Sequence, residues 1–594
     1  MRQFFKMFFA SFLAVIVAWI AGFFILIGLV VGLASSLGSD DDKKEVASNS
    51  VLVLETDRII HELGETNSLA MFSSDAGYSP SLFDICRAIE FAATDDQIKG
   101  IYLKLSYTPN GWATLQQLRQ SLEGFKKSGK FIYAYGEFIP QNTYYLASIA
   151  DSIFLNPMGM AEFKGLASEV PFFKGTLVKL ELLPEIFYAG KFKSATEPFR
   201  ADHMSEENRR QIADIQSDLW SAFLGAAAEH TGKDAVSLHH LAVEGSVQFP
   251  QDALKQGLVE GLLYQDQVEE KLKARTDRKE DDKIRFTELE DYVRHARSKR
   301  KSEDSRVAVL VAEGGITDGE KSDDYEIASK DFIEAIRKVK KNEKVKAVVL
   351  RVNSPGGSAL ASEVILRELQ LLREKKPLVV SMGDVAASGG YYIACQADSI
   401  FAMPTTITGS IGVFAMMFNV ENLMKNKLGI TFDEVKNAPY ADFPTGTRPL
   451  TAEEGRKMQA MVDTIYEVFK RRVATGRNMD VAMVDSFAQG RVWSGTDALS
   501  IGLVDGLGGL NRAIESAAAK AKLEKYSIVT YPDPVDKFQM LMNRFKGSSV
   551  SEEALKQAIN SESGTTARLV RNIRALQKIN GTVQALMPVQ PVIR

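Results

Sequence analysis

The sequence predicts an α/β fold of two tandem copies of one unit, with mostly parallel strands, preceded by a single membrane-spanning helix. Three observations carry this. Short β-branched runs alternate with helical periodicities, the pattern of strands buried on both faces between helices. One set of motifs returns at a near-constant separation: Ala150-Asp151-Ser152-Ile153-Phe154 recurs as Ala397-Asp398-Ser399-Ile400-Phe401, 247 positions on (398 − 151). Residues 7–39 contain no charged side chain, which is more than the roughly 20 apolar residues that cross a bilayer.

Residues 1–45 read as a cytoplasmic N-terminus and anchor. Arg2 and Lys6 precede the apolar run while Asp40, Asp41 and Asp42 follow it, so the positive-inside rule places the body outside. The run exceeds the roughly 7–15 residues of a cleaved signal's apolar core, which favours a retained anchor. Residues 46–268 form the first α/β unit, opening on the apolar residues 51–54 and continuing through a helix marked by Asp84-Ile85 and Ala88-Ile89. Residues 306–530 form the second, where Asp331-Phe332 and Ala335-Ile336 repeat that helix. Further pairs are Gly136 with Gly383, Tyr144-Tyr145 with Tyr391-Tyr392, and Pro157 with Pro404. Residues 269–305 mix Lys, Arg, Asp and Glu and read as a solvated helical connector, not a basic binding patch. Residues 531–594 form a tail with helical segments and no evident chemistry.

A chain of 594 residues with a formal charge of −4 has no basic block to hold nucleic acid, and that class is dropped. The two cysteines, Cys86 and Cys395, read as buried thiols and not as a disulfide framework. The six histidines show no metal-binding spacing and there is no CxxC pair, so neither a metal nor another cofactor is expected. His239-His240 reads as a pair on a helix surface.

The chemistry gathers in the second copy. Ser388 stands in Ala-Ser-Gly-Gly where an apolar strand gives way to a helix. A serine at such a turn has its hydroxyl lifted clear, while the following amides, that of Gly389 first, face a developing oxyanion. Upstream, another buried strand ends in Pro355-Gly356-Gly357, a turn whose backbone amides could supply a further donor. The first copy has Gln141 in place of Ser388 and Asn110-Gly111 in place of Gly356-Gly357. No histidine follows Arg306, so a histidine base would have to be borrowed from the first unit or the connector, and lysine is the other base known for a serine nucleophile. Lys191 and Lys193 of the first copy are the candidates, with Tyr440 in the place of Lys193 in the second. To accept a proton near neutrality, such a lysine needs its pKa lowered by about 2–3 units through burial.

Taken together, RVNSPGGS, SMGDVAASGGYYIA, TTITGSIGVF and KSATEPF resemble the signal peptide peptidases of the SppA type, in their long, membrane-anchored protease IV form. The likeness runs from the anchor to about Leu523. It implies tandem units of the Clp-protease/crotonase-like fold and a serine-lysine peptidase. In it Ser388 is the nucleophile, Lys193 and not Lys191 the base, and Gly389 with Gly356 or Gly357 the oxyanion donors. Ser194, Tyr391 and Ser410 are candidates to position the lysine, and Val413, Phe414, Met416 and Met417 line a substrate pocket or fill the core. The resemblance further implies signal peptide remnants and apolar peptides as substrates, and a homotetramer. The implied setting is a single-pass protein of the bacterial inner membrane, its body on the extracytoplasmic side. Two rivals remain at this stage: a crotonase-like acyl-CoA enzyme, which would use carboxylates, and a silent peptide-binding scaffold.

Overall fold

The β-branched runs assemble into two mainly parallel sheets that share one order of six strands. The computed structural model describes residues 46–66, 78–276, 283–300, 302–321, 325–533, 535–536, 583–587 and 592–593, with positions 15, 19 and 22 before them. The expected anchor helix lies outside the described residues, among which no helix is long and apolar enough to cross a membrane.

The first sheet runs Phe286–Glu288, Ser50–Glu55, Ile98–Leu105, Phe131–Ile139, Ser152–Ala161, Gly261–Leu262, parallel throughout. In the second, six strands repeat that order in parallel, Ser527–Tyr531, Arg306–Glu313, Val345–Ser354, Leu378–Ala387, Ser399–Ala402, Gly506–Leu507, while Ile407–Gly409 branches from Leu378–Ala387 and pairs antiparallel with Val492–Ser494. Its central strands are buried on both faces, which is why they read as continuous apolar runs. The duplication extends to single hydrogen bonds. Tyr144 donates its hydroxyl to Leu258 O at 3.0 Å and Tyr391 to Leu503 O at 2.8 Å. Asp151 accepts from Ile132 N–H and Asp398 from Leu378 N–H, each at 2.8 Å.

The charged connector differs from its expectation. Phe286–Glu288 lies beside Val51 just as Ser527–Tyr531 lies beside Val307, so it is the closing strand of the first copy. The helix Leu289–Ser298 after it buries Leu289, Tyr292, Val293 and Ala296. Those four follow helical spacing, and among so many charges they were read as solvated when they form a packed stripe.

A third, smaller sheet positions the site because both copies and the chain's end contribute to it. Its order is Glu326–Ala328, Gly315–Thr317, Gly356–Ser358, Val583–Leu586, Val413–Asn419, Leu183–Ala189. The last two pair antiparallel over seven residues, Val413 opposite Ala189. This brings the segment entering Lys193 against the segment leaving Ser410. In the tail, expected to be helical, Val583–Leu586 is thus a strand, while the two segments read as helices lie outside the described residues.

Candidate active site

Leu378–Ala387 delivers Ser388 to the head of the short helix Gly389–Ala394. Ser388 takes φ 54° and ψ −115°, a conformation that costs a non-glycine residue about 1–3 kcal/mol and persists only where its surroundings impose it. Here its N–H donates to Gly409 O and its carbonyl accepts from Tyr392 N–H, both at 2.8 Å. Its hydroxyl lies 3.5 Å from Gly412 O, a carbonyl outside that strand and helix.

Lys193 arrives from the first copy, just before the turn Ser194–Thr196. Its Nζ lies 2.9 Å from Ser388 Oγ, 3.0 Å from Ser410 Oγ and 3.2 Å from Ser410 O. Both Lys193 and Ser388 are 0% exposed. Burial holds the Lys193 amine well below its usual 10.5, and its hydrogen-bond partners are hydroxyls and a carbonyl, none of them anionic. Nζ donates to both oxygens of Ser410 and lies within hydrogen-bond reach of Ser388 Oγ. Lys191 is exposed, with its Nζ 5.5 Å from the centre of the Phe192 ring. The structure therefore brings Lys193, and not Lys191, to Ser388.

The approach of Lys193 depends on a loop of the second copy that carried no signal in the sequence. Phe192 N–H donates to Gln489 O at 2.8 Å. Gly490, at φ 75°, faces Lys193 so closely that a Cβ there would stand 2.6 Å from Lys193 Cβ and 2.8 Å from its Cα. Gln211, fully buried, ties the two copies: its Nε2 donates to Ser194 Oγ at 3.0 Å and Phe192 O at 3.2 Å, and its Oε1 accepts from Val492 N–H at 3.2 Å. Nothing local distinguishes Gln211 or Gly490 from an ordinary helix residue and an ordinary turn. We expect Gly490→Ala to fold but to lower peptidase kcat by about 10²-fold, the usual result of moving a reacting group by about 1 Å. Unchanged kcat in a steady-state assay would mean that the loop does not set the lysine.

The remaining candidates separate. Gly356 N–H is engaged by Ser354 Oγ at 3.1 Å, whereas the Gly357 amide lies against Gly389, 3.1 Å from where a Gly389 Cβ would stand. Ser410 touches the lysine directly and Ser194 turns to Gln211. Tyr391 is sent into the core by its bond to Leu503 O. Phe414 and Met416 pack with Leu177, Ala195 and Phe199 in a buried cluster, and Val413 belongs to the main core. In the first copy Gln141 stands where Ser388 does, and its amide is spent on the backbone of Lys164 and Gly165. Tyr440, in the place of Lys193, is exposed under the Lys457 ammonium at 4.7 Å.

A strained serine hydroxyl in contact with a buried amine whose pKa burial depresses, beside backbone amides, is apparatus for acyl transfer, and the class it defines is that of the serine hydrolases. The family model "Peptidase family S49" matches residues 124–279 and 370–524, one match in each copy and together more than half the chain. Protease 4 of Salmonella typhi is 36% identical over 501 residues, which is 82% of this chain and 80% of that protein. The chloroplastic serine protease SPPA of Arabidopsis thaliana is 34% identical over 449 residues, 74% of this chain and 65% of that one. A shorter putative signal peptide peptidase SppA of Enterococcus faecium is 35% identical over 208 residues, 35% of this chain and 60% of its own. The chain belongs to peptidase family S49, and it is a serine peptidase.

Proposed function

We propose that this chain is a membrane-anchored endopeptidase that degrades signal peptides and other short apolar peptides with a Ser388–Lys193 dyad. The observation that carries the reading is the 2.9 Å contact of Lys193 Nζ with Ser388 Oγ at full burial. Neutral Lys193 takes the Ser388 proton as Oγ attacks a peptide carbonyl. The amides of Gly389 and Gly357 receive the oxyanion, since Ser354 already occupies that of Gly356. Protonated Lys193 returns its proton to the leaving amine, and water, activated by the same amine, then releases the acyl group. The substrate class follows the names of the relatives, and the anchor follows the uncharged residues 7–39. Each copy is read as a Clp-protease/crotonase-like unit. The proposed assembly is a homotetramer at the extracytoplasmic face of a bacterial inner membrane, for which the exposed Leu428, Ile430, Phe432 and Val435 offer apolar surface.

A serine-directed phosphonate tests the nucleophile. It should label one residue, mapped by mass spectrometry to Ser388, and leave Ser388→Ala unlabelled and inactive. Peptide hydrolysis that persists in Ser388→Ala sinks the assignment. The base has its own signature in pH. Only deprotonated Lys193 accepts the serine proton, so kcat/KM should rise with pH through the lysine's depressed pKa and level off well below 10.5. An acid limb near the ordinary lysine value would show that the buried amine is not the group that titrates.

A further inference from the structure

Residues 583–587, Val-Gln-Ala-Leu-Met, lie beside Ser388 as the middle strand of the third sheet. On one side they pair antiparallel with Gly356–Ser358, Ala585 opposite Gly357. On the other they pair antiparallel with Val413–Asn419, Gln584 opposite Phe414. Without them the sheet would have a slot one strand wide, with unpaired backbone groups along both walls. An extended peptide adds to such edges through main-chain hydrogen bonds, while pockets for alternate side chains select its sequence.

The register is that of a substrate. Met587 N–H donates to Pro355 O at 2.6 Å. Hydrogen-bonded and non-hydrogen-bonded pairs alternate along an antiparallel ladder, so Ala585 and Gly357 form a hydrogen-bonded pair and the Ala585 carbonyl faces the Gly357 amide. The same oxygen lies 3.0 Å from where a Gly389 Cβ would stand. The carbonyl of Ala585 is therefore paired with the Gly357 amide and lies beside Gly389, the two residues assigned above to the oxyanion. Ala585 is 1% exposed, and two residues on, Met587 packs with Val385, Ala387, Ile407 and Val492. The slot takes a small side chain at the acyl position and a large apolar one two positions past the bond.

We infer that residues 583–587 are an internal competitor of substrate, a pseudosubstrate strand that an apolar peptide must displace to reach Ser388. This deepens the reading of the site given above and rests on it. A tethered segment is present at an effective concentration on the order of millimolar, so one that binds with a Kd of about 0.1 mM weakens a free peptide's apparent affinity about tenfold.

The test measures binding, not hydrolysis. A fluorescein-labelled apolar peptide with alanine at the acyl position is titrated into three full-length-derived proteins, all carrying Ser388→Ala. One is otherwise unchanged, one ends at residue 582, and one carries Ala585→Pro, which removes the N–H that pairs with Gly357 O and leaves the chain complete. About tenfold tighter binding by the second and third is expected. Equal affinity in all three overturns the inference, and so does weaker binding in both altered proteins, which would make the segment a structural strand. Failure here leaves the dyad intact, because the dyad is tested separately, by hydrolysis in Ser388→Ala and Lys193→Met.

Discussion

Lys193→Met is expected to lower kcat/KM for an apolar peptide by about 10²–10⁴-fold, the range that a positioned general base supplies, while the protein folds as before. Methionine fills nearly the same volume without an amine, and it removes a group that is costly to bury. The loss therefore falls on catalysis and not on packing. Ser388 keeps its strained turn, since Gly409 and Tyr392 hold that by backbone bonds alone. It loses only the acceptor 2.9 Å from its hydroxyl, and at neutral pH an unassisted serine is a poor nucleophile. Lys191→Met removes an exposed charge and should leave the rate nearly unchanged. The two variants share composition and differ only in which of two neighbouring lysines is lost. Steady-state rates with one fluorogenic peptide decide the matter. Equal losses in both, or activity retained in Lys193→Met, would remove the lysine from the mechanism.

The parts of this site that could be read in advance are those where a local motif and the internal repeat coincide. Ser388 and Gly389 stand out because a strand-to-helix turn carries them where the first copy has Gln141, whereas the repeat marks Lys191 and Lys193 alike and only the family resemblance of KSATEPF separates them. That the two copies share a strand order follows from the repeat, since equivalent apolar runs in equivalent order fold alike, but the order itself is not legible in it. What escaped was set by contacts distant in sequence. Gly490 matters only because Lys193 arrives from another copy, and a glycine in a Gln-Gly-Arg turn shows nothing of that. The third sheet escaped likewise. Gly356–Ser358 and Gly315–Thr317 are three residues long, too short to carry a period, and Val583–Leu586 is a strand only by virtue of its two distant neighbours. The helix Leu289–Ser298 escaped for a different reason: composition outweighed periodicity when its four apolar residues were set among charges.

Glu62→Ala is expected to destabilise the folded chain by about 3–5 kcal/mol, the usual result of stranding a buried charge. Arg351 sits in a central strand of the second sheet at 1% exposure. It donates to Ser381 Oγ and Met382 O at 2.8 Å each and to Glu62 Oε1 at 2.7 Å. Burial raises the Glu62 carboxyl above its usual value, and the Arg351 guanidinium opposes that shift. Glu62 comes from the first copy, held there by its own N–H to Glu313 Oε2 at 3.1 Å, so the pair joins the copies that share the active site. A guanidinium cannot shed its proton in a protein, and once the carboxylate is gone its charge stays buried without a counter-ion. Glu62→Gln keeps an acceptor at the same place and should be milder. The double variant Glu62→Leu with Arg351→Met removes both charges and should recover most of the loss, because an apolar pair of similar size often matches a buried ion pair. Urea unfolding of the wild type and these three variants gives the comparison directly. If Glu62→Ala costs no more than about 0.5 kcal/mol, the level of an ordinary surface change, or if the double variant is worse than the single, then the buried pair is not what binds the copies together.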